Sequence, residues 1–119
     1  MLEPDPQLVA AATEVHLLAY CPYSNYRVGA AIRTVSGTVI VGCNVENAAY
    51  PLGSCAEAGA IAAMIARGER EIAEIVVVTD GDEPGTPCGG CRQRIREFAG
   101  PDVAVHSVSV SGATWSTTV

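Results

Sequence analysis

Apolar residues recur along this chain at spacings that differ from one segment to the next, and each spacing predicts an element. Between residues 6 and 20 they return every three or four positions, which predicts an amphipathic helix. Two strand-like runs follow at 27–34 and 38–44, and the Val35-Ser36-Gly37 segment between them predicts an antiparallel hairpin. The first half of the chain therefore predicts one helix and two paired strands.

The second half alternates helical and strand-like segments. Residues 55–67 are alanine-rich and apolar on most sides, as expected of a buried helix. The continuous β-branched run within 74–80 is typical of a central strand that is covered on both faces. A third helix, from 88 or 89 to about 99, precedes one or two further strands at 103–105 and 108–110.

This order of elements places the chain in the α/β class. It predicts a three-layer α/β/α sandwich with a mixed, about five-stranded sheet. The chain has 119 residues, no internal repeat and no long linker, so we expect a single domain over 1–119. We expect His16 to pack against the core and His106 to lie at the surface, whereas the segment around Trp115 yields no prediction.

Composition argues against several classes of function. The net charge is −6 and all seven basic residues are arginine, so a nucleic-acid backbone is a poor partner and a small, weakly charged substrate is expected. No apolar run reaches the roughly 20 residues that span a bilayer, and the acidic first residues do not resemble a signal peptide. Five cysteines, an odd number, argue against a disulfide framework. We therefore expect a cytoplasmic protein with no membrane partner.

Three cysteines and a carboxylate form the most informative pattern in the chain. Cys88 and Cys91 stand at a predicted helix start, where free N–H groups favour thiolates, although such a pair alone is also consistent with a redox or structural role. Cys55 begins another predicted helix and adds a third sulfur. Three protein ligands with one open position are typical of catalytic zinc. Glu57 then stands close enough to exchange protons with a zinc-bound water without binding the metal.

Polar and aromatic residues before this pattern are candidates for a substrate pocket. In an extended segment Asn44 and Glu46 share one face, and together they suit the adjacent hydroxyls of a sugar. A solvated loop rich in asparagine is the more common role of such a segment. Tyr26 lies in the connection before the hairpin and either lines the pocket or covers the core.

Residues 55–57 together with 87–93 resemble the zinc signature of the cytidine deaminase family, in its small-subunit form with three cysteine ligands. Zinc deaminases in general share this signature: a histidine or cysteine two residues before a glutamate, followed later in the chain by Pro-Cys-x-x-Cys. Segments 23–31 and 42–48 also resemble the family, so the likeness covers most of the chain between 20 and about 98. The resemblance implies a zinc-dependent hydrolase that converts cytidine or deoxycytidine to uridine or deoxyuridine and releases ammonia.

The resemblance also implies a role for each candidate residue. Zinc would be bound by Cys55, Cys88 and Cys91. Glu57 would shuttle protons while zinc hydroxide attacks the pyrimidine carbon that bears the amino group. The implied substrate contacts are Asn44 and Glu46 to the ribose, with Tyr26 and the backbone of Ala56 to the base. Members of this form are usually homotetramers, so we expect a homo-oligomer whose ligand is a small aminopyrimidine nucleoside or base.

The chain departs from the family at Ala58, where an arginine usually follows the glutamate. Because three thiolates leave a negative metal centre, we expect helix termini or Arg92 to offset that charge. The departure keeps two alternatives open: a deaminase of blasticidin S or of a modified or free base, and a non-catalytic zinc-binding module. The family's Leu-Leu-Pro segment is not found before Val119, so no residue is assigned to base stacking from a neighbouring subunit.

Overall fold

The computed structural model describes residues 3–85 and 89–119. Within these ranges the elements follow in the order α1 Pro6–His16, β1 Val28–Thr34, β2 Val39–Cys43, a 3-10 turn Tyr50–Leu52, α2 Ala56–Ala66, β3 Ile72–Thr79, α3 Gly89–Phe98, β4 Ala104–Ser109 and β5 Thr114–Thr118. None of the helices in the described ranges combines the length and the apolar character needed to cross a bilayer.

The five strands form one mixed sheet with helices on both faces. Its order is β2-β1-β3-β4-β5, in which β3 and β4 are parallel and the other neighbours antiparallel. Alternate residues of β3 enter separate cores: Val76 packs with Leu8 of α1, and Val77 packs with Met64 of α2 and Ile95 of α3. The predicted three-layer α/β/α sandwich with five strands is confirmed.

The first helix begins as predicted and ends four residues early. The Asp5 side chain accepts a hydrogen bond from the Gln7 N–H, and proline occupies the first helical position. After His16 the chain tightens into turns, and Tyr20 donates its N–H to the Asn44 carbonyl at 3.0 Å. Pairing with the segment after β2 therefore ends the helix before the amphipathic pattern does.

Two glycines allow the helices to lie directly against the hairpin. A Cβ at Gly42 would lie 2.7 Å from the Ala56 carbonyl oxygen and would also collide with the Ala60 nitrogen. A Cβ at Gly29 would lie 2.7 Å from the His16 nitrogen in α1. At these points the backbone of a helix packs directly on the backbone of a strand. The first turn of α2, which begins at Ala56, therefore lies directly against β2.

The C-terminal region contains two strands where the sequence predicts one or two shorter runs. A single strand, β4, spans both predicted runs, and β5 was not predicted. The turn between them contains Gly112 at φ +97°, a conformation that favours glycine. Most residues of β5 are threonine or serine on a half-exposed edge, so no apolar alternation marks the strand; Trp115 lies within it.

The two histidines are both buried. His16 donates its Nε2–H to the Asp80 carboxylate at 3.0 Å, which confirms its packing role. The prediction for His106 is wrong, because its side chain is 1% exposed and lies between Ser116 on β5 and Glu74 on β3. Burial lowers the pKa of His106, and Glu74 acts in the opposite direction.

Candidate active site

A cavity of about 660 Å³ opens between the start of α2, the segment that follows β2 and the loop that precedes β1. The predicted site residues within the described ranges all line it: Tyr26, Asn44, Glu46, Cys55, Ala56, Glu57 and Cys91. The remaining predicted ligand, Cys88, lies outside the described residues. Residues separated by up to 65 positions therefore meet around one space.

Both thiols in the cavity stand at helix N-termini. Cys55 is the N-cap of α2, with extended backbone angles of φ −74° and ψ 157°. Cys91 lies in the first turn of α3 and is 1% exposed. Both sulfurs therefore stand at the positive ends of helix dipoles, where negative charge is favourable, and a metal-bound thiolate carries such charge.

Glu57 is the second residue of α2 and is 5% exposed. Burial raises the pKa of its carboxyl group, while hydrogen bonds from its own backbone N–H and from Cys91, and the charge of Arg94, act in the opposite direction. A carboxylate with a raised pKa accepts a proton more readily near neutrality than an exposed one. The position suits a group that takes and returns protons beside a ligand.

The donor chemistry of the cavity fits zinc. Thiolate sulfur is a preferred zinc ligand, and two thiols with an adjacent carboxylate line the same space. Among residues 3–85 and 89–119 there is no group of three histidine, cysteine, aspartate or glutamate side chains that could hold a metal. The predicted set reaches three sulfurs only with Cys88.

The Asn44 side chain forms hydrogen bonds with the backbone at the start of β1. Its side-chain oxygen accepts from the Val28 N–H at 2.9 Å, and its amide nitrogen donates to the Tyr26 carbonyl at 2.9 Å. These contacts fix the backbone on both sides of residue 27. Asn44 therefore positions Tyr26, a role that its sequence context did not reveal, and lines the cavity as well.

Glu46 organises the loop before β1. Its carboxylate accepts from the N–H groups of Tyr23 and Ser24 at 3.0 and 3.1 Å and from the Ser24 hydroxyl. The hydrogen bond from the Ser24 hydroxyl contributes most to lowering the pKa of Glu46, and burial acts in the opposite direction. Glu46 is thus a charged residue of the cavity wall whose orientation is set by this loop.

Asp80 is a supporting residue that sequence reasoning missed. At the end of β3 its carboxylate accepts from the Arg27 backbone N–H and from Arg27 Nε, each at 3.0 Å, and contacts His16. The hydrogen bond from the Arg27 side chain is the main cause that lowers the pKa of Asp80 to about 2. The network ties α1, β1 and β3 together next to Tyr26. Its only sequence signal was a charged residue directly after an apolar strand.

The polar residues at 81–86 predict a solvent-exposed loop after β3, and the described part of this loop agrees only partly. Residues 81–83 are exposed, but Gly85 lines the cavity. Its N–H donates to the Thr79 hydroxyl at 3.2 Å, and its carbonyl accepts from the Ser107 hydroxyl. The last residue of the predicted segment lies outside the described residues.

An arginine that the sequence did not single out, Arg94, lies beside one of the cysteines of the cavity. Arg94 Nη1 lies 3.7 Å from Cys91 Sγ, within hydrogen-bonding distance for sulfur. Arg92 instead lines a separate cavity of about 150 Å³ against Trp115. Of the two arginines, the structure describes a contact to a cysteine for Arg94, and the role expected of Arg92 stays a prediction, because Cys88 lies outside the described residues.

Comparisons with known proteins place this site in a family. The model of the cytidine and deoxycytidylate deaminase zinc-binding region matches residues 2–107. Cytidine deaminase from Sporosarcina psychrophila is 39% identical over 113 residues, which cover 95% of this chain and 83% of the relative. Cytidine deaminase from Halalkalibacterium halodurans is 40% identical over 105 residues, which cover 88% of this chain and 80% of that protein.

Solved structures agree with the sequence relatives. The crystal structure of cytidine deaminase from Burkholderia pseudomallei has a TM-score of 0.92 at 41% identity, covering 98% of this chain and 93% of that one. Cytidine deaminase from Mycobacterium tuberculosis has a TM-score of 0.78 at 35% identity, covering 87% and 85%. The resemblance noted from the motifs is confirmed: this chain belongs to the family of cytidine and deoxycytidylate deaminases that is defined by a zinc-binding region.

Proposed function

We propose that residues 1–119 form a single deaminase domain that hydrolyses cytidine or deoxycytidine to uridine or deoxyuridine and ammonia. The observation that carries this proposal is the meeting of Cys55, Cys91 and the buried Glu57 in one cavity. Thiols at two helix N-termini provide a metal site, and a carboxylate with a raised pKa provides a proton carrier beside it.

Cys55, Cys88 and Cys91 would hold the zinc ion. Zinc bound by three sulfurs supplies chemistry that a side chain cannot, because it lowers the pKa of water and so provides a nucleophile near neutral pH. The cysteines themselves contribute charge and geometry. The position of Cys55 as an N-cap and of Cys91 in a first turn fixes both sulfurs to the ends of packed helices.

Glu57 carries the protons of the reaction. Its carboxylate removes a proton from the attacking water and delivers it to the ring nitrogen next to the carbon under attack. It then transfers the remaining hydroxyl proton to the amino group, which leaves as ammonia while the carbonyl of the product forms. The balance is one water consumed and one ammonia released. Burial supports this role, because it raises the pKa of the Glu57 carboxyl group and so favours uptake of the proton that the group then passes on.

The far wall of the cavity suits a nucleoside. Asn44 and Glu46 would contact the ribose hydroxyls, and Tyr26 with the backbone of Ala56 would contact the base. Their support is location, because these residues line the cavity that contains Glu57. Loop contacts keep Glu46 ionised, so that it can accept hydrogen bonds from hydroxyl groups.

A substrate panel tests this proposal. Cytidine should be deaminated with kcat/KM about 100-fold above cytosine, because two lost hydroxyl contacts at about 1.5 kcal/mol each amount to that ratio. Deoxycytidine lacks one of the two adjacent hydroxyls and should be deaminated about 10-fold faster than cytosine. Ammonia release from equal concentrations of cytidine, deoxycytidine, cytosine and blasticidin S measures it. Glu46→Gln should lower the value for cytidine and leave that for cytosine unchanged. Equal rates on cytosine, or a preference for blasticidin S, would contradict a nucleoside substrate.

A homotetramer is the proposed assembly. Large apolar side chains are exposed at and near the cavity: Tyr50, which lines it, is 92% exposed, and Leu52, two residues later in the chain, is 71% exposed. A patch of this kind marks a protein interface, and a second copy of the chain would cover it and close the mouth of the site.

Light scattering on the purified protein measures the assembly. The mass should be four times the 12.3 kDa of one chain. Tyr50→Ser with Leu52→Ser should yield smaller species, whereas Val35→Ser, at another exposed apolar side chain in the hairpin turn, should leave the mass unchanged. A monomeric wild-type protein would contradict the proposal.

The proposed location is the cytoplasm, and the proposed ligand is a small nucleoside or base. Cysteine ligands need a reducing compartment, and Cys21 and Cys43 form no disulfide. The net charge of −6 opposes binding to nucleic acid, so neither nucleic acid nor membrane is proposed as a partner.

A further inference from the structure

The proposed metal site concentrates negative charge in a small volume. Three thiolates on a zinc ion carry a net charge of −1, and the carboxyl group of Glu57 lines the same cavity. Cys91 and Glu57 are both almost completely buried, so solvent screens this charge weakly. The residue after Glu57 is alanine and supplies no compensating cation. Such a site is stabilised if a positive group approaches the sulfurs.

Arg94 occupies that position. It follows Cys91 by three residues in α3, so both side chains lie on the same face of the helix. Its Nη1 lies 3.7 Å from Cys91 Sγ, and its charge also acts on Glu57. The side chain is exposed whereas the sulfur is buried, so the guanidinium reaches the site from the protein surface.

The other arginines of α3 have different surroundings. Arg92 lines the small cavity against Trp115, and Arg96 donates to the Ala99 carbonyl at 3.3 Å. For Arg94, the structure describes a hydrogen bond to Cys91 within residues 3–85 and 89–119. The chain thus provides a natural comparison between neighbouring arginines on one helix.

We propose that Arg94 is a positioning residue of the zinc site, which donates a hydrogen bond to the Cys91 thiolate and offsets the negative charge of the three sulfurs. The inference rests on the proposed zinc-dependent function. A bound metal would hold Cys91 as a thiolate, and the Arg94 guanidinium, 3.7 Å from that sulfur, donates to its negative charge. A fixed cation beside it therefore favours metal binding. It also withdraws electron density from sulfur, which keeps the bound metal electrophilic.

Arg94→Gln tests the proposal, with Arg92→Gln as the matched control. Competition against a chromophoric chelator should show zinc affinity lowered about 10-fold or more in Arg94→Gln, the size of effect that is typical when a partner of a metal ligand is removed. Arg92→Gln should bind zinc like the wild-type protein. Arg94→Lys, which keeps the charge, should recover most of the affinity.

A cobalt-substituted protein provides a second measurement that a general structural role would not change. Loss of the hydrogen bond makes the Cys91 sulfur a stronger donor, so the sulfur-to-cobalt charge-transfer band of Arg94→Gln should shift to lower energy. Circular dichroism should show the same fold, because the replaced side chain lies at the surface. If Arg94→Gln is less folded, Arg94→Lys, with charge but a different hydrogen-bond geometry, is compared by the same two measurements.

The outcomes separate this inference from the proposed function. Unchanged zinc affinity and an unchanged band in Arg94→Gln would overturn the role of Arg94, even if the enzyme deaminates cytidine. A wild-type protein that binds zinc but releases no ammonia would contradict the proposed function, and the affinity difference between Arg94→Gln and Arg92→Gln would still decide the role of Arg94.

Discussion

Replacing Glu57 with glutamine should lower kcat for cytidine about 10³-fold while zinc stays bound. Glutamine keeps the size of the side chain but cannot accept and return a proton, and positioned proton transfer contributes about 10²- to 10⁴-fold in enzymes. Two proton transfers in the proposed reaction depend on this one group. Because Glu57 is not a proposed ligand, its replacement should not release the metal. Uridine formation and zinc content of the same Glu57→Gln preparation measure both.

Glu71→Gln is the control for this experiment. Glu71 is an exposed carboxylate beside β3, so its replacement changes the net charge equally without touching the cavity. It should retain wild-type kcat. Full activity in Glu57→Gln would remove Glu57 from the mechanism and favour another proton carrier. Loss of zinc together with activity would indicate that Glu57 binds the metal.

Gly42→Ala should lower the free energy of unfolding by about 2–3 kcal/mol. The added methyl group would meet the backbone of α2 at Ala56 and Ala60, and backbone cannot move aside as a flexible side chain can. Relief requires α2 to shift away from β2. Since α2 carries Cys55 at its start and Glu57 in its first turn, zinc affinity should fall as well. Urea unfolding of the metal-free protein and zinc titration measure the two effects.

Gly59→Ala is the matched control on the facing helix. Its Cβ would lie 3.6 Å from the Cys43 carbonyl oxygen, an ordinary contact, and alanine favours a helix over glycine by up to about 1 kcal/mol. This variant should be as stable as the wild-type protein or more so. Equal losses of stability in Gly42→Ala and Gly59→Ala would contradict the claim that stability depends on the close approach of the α2 backbone to Gly42.

Local patterns predicted most of the fold. Apolar spacing was sufficient for α1, α2 and β3, because each buries a continuous apolar face. It was insufficient for β5, a threonine-rich edge strand that is held by pairing with β4 and not by an apolar face of its own. The burial of His106 was not predicted for the same reason, because β5 pairs with the strand that carries His106 and Ser116 of β5 contacts its ring.

The site was predictable where its chemistry is concentrated in short motifs. Cys55, Glu57 and Cys91 stand out by residue type and spacing, and the structure brings them to one cavity. Supporting contacts over long sequence distances carried no such signal: Arg27 and Asp80 are 53 positions apart. Arg94 is an intermediate case, because its spacing of three residues from Cys91 within a helix could have been recognised.

Metal removal tests the central claim most directly. The protein is stripped with a chelator, reloaded with one equivalent of zinc, and assayed for uridine and ammonia from cytidine. The proposed function predicts no turnover without metal, and recovery of equimolar uridine and ammonia in proportion to the zinc bound. Turnover that persists in metal-free protein, or none in fully loaded protein, would contradict zinc-dependent deamination at this cavity.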